Sequence, residues 1–332
     1  MRAPLIATLA ATVIGASVAA GQPAAAQTHL DMVGFGGASN LPIWVAQDKG
    51  LFKKEGLDIK LEGTHGSVAQ MKNLMAGKYQ IASTSIDNII AYTEKQGDVK
   101  IDNFDVIAVG GVHSGLNSVV ARPEIKSYQD IKGKPVAVDA LGTGYAFVLF
   151  RILDKNGLKF GKDYTVVAVG GGPERLEALK SGKAIAAVMS APNDTEAKAM
   201  GYNILADAAA ELGGYQGSAY AVRRSWAKEH EIETVSWLRA LIAAHDYVFA
   251  HKAESIAVLR GHLKKLNEQQ AETIYQSLTT GAGGLNKKAE INMAGMKTVL
   301  SLRAEFATPK KNLTDPNKYI DLAYHKKAMG VH

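Results

Sequence analysis

The chain has 332 residues, of which 47% are hydrophobic, 21% charged and 7% aromatic, a balance that excludes a disordered or fibrous protein. Its 38 Lys and Arg against 32 Asp and Glu leave a formal charge of +6, yet the two signs are interleaved rather than clustered, which argues against a nucleic-acid partner. Cysteine is absent, so disulfides, thiol catalysis, thiolate zinc sites and iron–sulfur clusters are excluded together.

Arg2, an uncharged run from Ala3 to Ala20 and the small residues around Ala24-Ala25-Ala26 form the pattern of a secretory signal peptide over residues 1–26. Cleavage after Ala26 is expected, and no cysteine follows for a lipid anchor, so the chain reads as exported to the periplasm and not lipid-anchored. At about 100–200 residues per domain the remainder suggests two lobes.

His29–Phe35 is strand-like, and Pro42 suits the first turn of a helix that runs to Lys49 and stops at Gly50. Asp58–Glu62 alternates as a strand, Gly63–Ser67 is a loop, and Val68, Met71, Leu74 and Met75 share a helical face. Ile81–Ser83 is a further strand, and Ser85 to Asn88 open another helix. Strands alternating with helices call for a largely parallel sheet. The same order then returns. Leu74, Gly77, Lys78, Ala82, Ser85 and Asn88 are matched by Leu179, Gly182, Lys183, Ala187, Ser190 and Asn193, 105 residues later. Between the copies, Asp105–Ala121 reads as two strands joined through residues 110–115, and Ser218–Val222 can return the chain. Helices follow at Glu231–Phe249, Ala253–Leu266, Asn267–Leu278 and Ile291–Ala307, expected to pack back on the first lobe. The division expected is residues 27–110 plus 218–332 for a discontinuous lobe one and 111–217 for lobe two.

Ligands of open α/β sheets bind beyond the carboxyl ends of the strands. The loops placed there are 36–41, 63–67, 83–88, 139–145, 170–173 and 189–193. They carry Ser39, Asn40, Thr64, His65, Ser85, Asn88, Thr143, Tyr145, Ser190 and Asn193. Any one of the Ser, Thr and Asn residues is explained equally well as a helix cap, so convergence from two lobes carries the functional reading. Trp44 and Tyr145 stand in the first turns of equivalent helices, as core or as cleft wall, and His113 falls at the expected hinge. Asp87 either favours its helix dipole or recognises an amine; Asp139 poses the same question. Lys134 and Arg175 stand only at the margins of these loops, so no cleft arginine is evident. No nucleophile elbow, phosphate loop, dinucleotide loop or metal-binding helix motif occurs, so neither a metal nor any other cofactor is implied.

The stretch Leu41-Pro42-Ile43-Trp44-Val45-Ala46-Gln47-Asp48-Lys49-Gly50-Leu51-Phe52-Lys53-Lys54-Glu55-Gly56-Leu57-Asp58-Ile59 resembles solute-binding proteins of ABC importers. The branch is that of aliphatic-sulfonate, taurine, nitrate and thiamine-pyrimidine-precursor binders. Residues 75–82 and 125–138 support the likeness, which covers most of 29–210. It implies a type II periplasmic-binding-protein fold: α/β, with two mixed and mainly parallel sheets, two crossover strands and a helical C-terminal part. It further implies no catalysis, a monomer, and delivery of a small polar solute to a membrane permease with its ATPase. The expected solute is anionic, such as a sulfonate or carboxylate; the alternatives are a pyrimidine or aromatic ligand, or a sensing module. The resemblance extends to the fungal thiamine-pyrimidine synthase, but that enzyme's cysteine-rich motif has no counterpart in a chain without cysteine.

Overall fold

The computed structural model describes residues 27–64 and 66–331; the expected signal segment 1–26 and His65 lie outside the described residues. Ten strands, β1 (Thr28–Phe35), β2 (Leu57–Thr64), β3 (Ile81–Ser85), β4 (Val106–Gly111), β5 (Ser118–Ala121), β6 (Pro135–Val138), β7 (Thr165–Ala168), β8 (Ala186–Met189), β9 (Asn203–Asp207) and β10 (Ser218–Arg223), build two sheets. Their orders are β2-β1-β3-β10-β4 and β7-β6-β8-β5-β9. In each, the first three strands run parallel and the fourth is antiparallel to both its neighbours. The fold is a two-lobed α/β fold.

The sequence repeat is the repeat of these sheets. The helices Ser67–Met75 and Gly172–Lys180 lead into β3 and β8, and Leu74 and Leu179 are both fully buried. Just past each helix end the chain must turn sharply, and Gly77 and Gly182 do so at φ +80° and +75°, a region costly for residues with a side chain. Strand β3 is bounded by Ser85, which is also the N-cap of the helix Ile86–Thr93.

The chain leaves the first sheet through β4, enters the second through β5, and returns from β9 to β10. The two connections lie side by side: the Val112 amide donates to the Ser218 carbonyl and the Gly217 amide to the His113 carbonyl, each over 2.9 Å. A third segment braces them, with the Ser114 amide bonded to the Gly284 carbonyl and the Asn286 amide to the Val112 carbonyl. The buried Gln216 side chain ties all three, donating to the His113 and Ser218 carbonyls and accepting from the Asn292 amide.

The helices expected after residue 230 form at Glu231–Ala250, Lys252–His262, Glu268–Thr280 and Met293–Phe306, with a short last one at Ala323–Ala328. Glu231–Ala250 packs on Leu41–Asp48, beside the first sheet. Met293–Phe306 departs from the expected packing on the first lobe. It lies between Ile86–Thr93, which follows β3, and Gly144–Lys155, which follows β6, so it touches both lobes. Its Val299 and Leu300 share one apolar cluster with Ile89, Phe147 and Phe150.

That helix also settles Asp87. The carboxylate is buried and accepts two bonds from Arg303, from Nε at 2.6 Å and from Nη2 at 2.5 Å. Arg303 Nη2 also donates to the Gly142 carbonyl at 2.9 Å, and its guanidinium lies over the Phe147 ring. Asp87 is therefore committed to an interior ion pair.

Candidate ligand-binding site

A cavity of about 1020 Å³ lies between the two sheets. Its wall is made by the strand-end loops of both: Gly36–Ser39, Gly63–Thr64, Ser85 and Asn88 on one side, and Asp139–Ala140, Thr143–Tyr145, Gly170–Arg175 and Ser190–Asp194 on the other. His113, Leu116, Asn117 and Ser218 from the crossovers close the back. Within this wall the lobes touch directly, the Ala38 amide donating to the Ala191 carbonyl at 3.1 Å.

Of the residues singled out from sequence, Ser39, Thr64, Ser85, Asn88, His113, Thr143, Tyr145, Ser190 and Asn193 line this cavity. Two do not. Asn40 is buried behind the wall and donates from Nδ2 to the Phe35 carbonyl, holding its own loop. Trp44 is buried and stacks on His262 at a centroid distance of 4.7 Å, on the outer side of its helix. Both serve local structure.

The residues on the wall differ in what they still offer. Thr143 caps the helix Gly144–Lys155: its hydroxyl oxygen accepts from the Ala146 amide and its proton goes to Asp139 Oδ1 at 2.7 Å. It orients Asp139 and has little left for a ligand. Thr64 donates to the Gly66 carbonyl. Asn88 donates to Thr84 Oγ1 at 3.1 Å, which leaves its carbonyl oxygen to accept. Ser85 Oγ is buried without a partner among the described residues, and an orphaned hydroxyl in a cavity wall is costly unless something fills its bond.

His113 has a fixed polarity. Nδ1 accepts from the Gly115 and Leu116 amides at 3.1 and 3.2 Å, so the ring proton sits on Nε2 and is donated to Ser218 Oγ at 3.1 Å. Burial lowers its pKa to about 3, so the ring stays neutral. With its oxygen accepting from His113, the Ser218 hydroxyl is free to donate to Tyr145, which lies within hydrogen-bond reach.

The charged groups correct the sequence reading. Arg175, placed at a loop margin from sequence, lines the cavity and is only 7% exposed. Among the described residues its one bond runs from Nε to the Gly171 carbonyl at 3.2 Å, and it has no ion pair. Asp139 and Asp194 line the same cavity. Burial raises both carboxyl pKa values, against Arg175 for Asp139 and against bonds from Thr195 and Ser118 for Asp194. Asp194 was missed in the sequence, as were Asn117 and Ser218 and the tail residues Gln276, Ser277 and Thr280 that complete the wall. Among the described residues no group of three metal-ligating side chains occurs.

Residues 38–255 match the family described as NMT1/THI5 like. The chain belongs to this family. Solved structures share the fold over nearly the whole chain at low identity. A protein of Bordetella bronchiseptica matches with a TM-score of 0.74 and 20% identity, over 91% of this chain and 97% of its own. The periplasmic nitrate-binding protein NrtA of Synechocystis gives 0.75 and 12%, over 92% and 89%. The periplasmic aliphatic sulphonate-binding protein SsuA of Escherichia coli gives 0.65 and 19%, over 91% and 99%. By sequence, YtlA of Bacillus subtilis, provisionally named a binding protein, is 26% identical over 65% of this chain and 64% of its own length.

Proposed function

We propose that this protein is the solute-binding component of an ABC importer. It captures a small polar organic solute between its lobes in the periplasm and presents it to a membrane permease with its ATPase. The observation that carries the reading is the cavity itself: about 1020 Å³ between two matched sheets, walled by strand-end loops of both. The family match and the named functions of the structural neighbours support it.

In this reading the chain acts as a monomer, residues 27–110 with 218–332 form one lobe and 111–217 the other, and the paired crossovers are the hinge. Each lobe alone offers half the contacts, so a solute stabilises the closed form through its greater affinity for it. No chemical step is required.

The test begins with a thermal-shift screen of residues 27–332. A solute at a hundred times its Kd adds about 2.7 kcal/mol, which moves a midpoint by about 5 °C or more. Asn88→Ala and Asn193→Ala then remove one wall contact from each lobe. Each is expected to weaken binding of that solute about tenfold; Asn193→Ala should leave the unliganded midpoint within about 2 °C, whereas Asn88→Ala also loses its buried bond to Thr84 Oγ1 and should cost about 1 kcal/mol of stability. Unchanged affinity in both variants would sink the site assignment, and the absence of any bound or stabilising small molecule would sink the function.

A further inference from the structure

Resting on the solute-binding reading, we infer that the ligand is an organic zwitterion, with an anionic oxygen group held at Arg175 and a protonated amine held at Asp139 and Asp194. Two observations point the same way. Arg175 is nine-tenths buried in the cavity wall with no carboxylate paired to it among the described residues. A guanidinium so placed is a fork of donors waiting for an acceptor with two oxygens. Asp139 and Asp194 share that wall without a direct ion pair: Asp139 feels the charge of Arg175 but is not bonded to it, and the direct bonds come from neutral donors, Thr143 for one and Ser118 and Thr195 for the other. Buried charge without a directly bonded counter-charge is costly, and a ligand that supplies the missing bonds recovers the most on binding.

Simpler ligands fit worse. A plain anion satisfies Arg175 but meets two carboxylates in the same enclosure. A plain amine satisfies the carboxylates but leaves the guanidinium fork without a directly bonded oxyanion. The rim adds to the argument, because Asp98, Glu174 and Asp207 are exposed on the cavity lining and favour entry of a molecule with a positive end. Size speaks against an inorganic ion, since a cavity of about 1020 Å³ stands at the upper end of the roughly 300–1,000 Å³ that enclose drug-sized molecules. The unpartnered Ser85 hydroxyl offers a further neutral bond in the same cavity wall.

Two measurements separate this inference from the reading on which it rests. Thermal shift and calorimetry would use matched trios of free amino acids and dipeptides, their N-acetylated forms, which keep only the anion, and their carboxyl-amidated forms, which keep only the cation. In parallel, small molecules released by denaturing the chain purified from a periplasm would be identified by mass spectrometry. The expected result is that zwitterions bind and that blocking either end weakens affinity at least tenfold. The Arg175→Gln variant should then lose most of its affinity for the zwitterion while binding the amidated form as tightly as before. Equal binding of an acetylated or amidated form overturns the zwitterion and leaves solute binding intact. So does release of a singly charged or neutral molecule. A silent panel with no released molecule overturns both.

Discussion

Two buried histidines show how the chain fixes hydrogen-bond polarity with single residues. His245 donates from Nδ1 to the Asn286 carbonyl at 2.7 Å and therefore accepts at Nε2 from the Tyr220 hydroxyl at 3.0 Å. His113 has the opposite tautomer, imposed by two amides. Burial lowers their pKa values to about 4 and about 3. Below the unfolded value of 6.5 the unfolded chain takes up protons that the folded chain refuses. Stability is therefore complete above that pH and falls as pH drops, by about 1.4 kcal/mol per unit for each ring. Asp139 and Asp194 act with the opposite sign: their raised pKa values make the folded chain gain stability on acidification through them. A comparison with His113→Asn, which keeps an acceptor for the two amides, cancels the carboxylates. Between pH 6.5 and 5 the wild type should lose about 2 kcal/mol more than this variant by denaturant unfolding. Equal losses would mean that His113 is not held neutral.

At the level of elements, the repeat was legible because each copy states its own geometry. Leu74 and Leu179 mark the buried helix face, and Gly77 and Gly182 mark the left-handed turn into the next strand. Gly182→Ala should destabilise by about 1–2 kcal/mol, the cost of that backbone region for a residue with a Cβ. Gly36→Ala, where an added methyl meets open space, should change stability by less than about 0.5 kcal/mol. A denaturation curve of each variant decides this. The strand-end loops were legible for the same reason, since βα order alone predicts where they gather. The rest required tertiary contacts. Trp44 was ambiguous because its partner His262 lies more than two hundred residues away. The tail residues of the cavity wall carry no motif, as their helices were read only by apolar period. Arg175 did leave a trace: it shares a helical face with the buried Leu179, four residues on, where a basic residue needs a reason to be.

For the whole molecule the decisive contact is the one between Asp87, Arg303 and Gly142, because each comes from a different part of the chain. Asp87 stands in the first turn of a helix of the first lobe, Arg303 on the tail helix, and Gly142 in the second lobe's loop that carries Asp139. The Gly144 backbone comes so close that an added Cβ would lie 2.7 Å from Asp87 Cβ. In the proposed hinge motion Asp87 and the Gly142 carbonyl move apart, so Arg303 cannot keep its bonds to both. The two halves of this contact are thus separable by mutation. Asp87→Asn strands a buried guanidinium and should cost about 3–5 kcal/mol of stability. Arg303→Lys keeps a charge for Asp87 but cannot reach it in two directions and Gly142 at once. That variant should stay folded yet populate the open form, with a larger radius of gyration in solution scattering and about tenfold weaker solute affinity, equivalent to about 1.4 kcal/mol. Because the ligand contacts themselves are untouched, added solute at saturation should restore the compact radius. A variant that scatters and binds like the wild type would show that the bond to Gly142 does not hold the lobes together and that Arg303 serves only as the partner of Asp87.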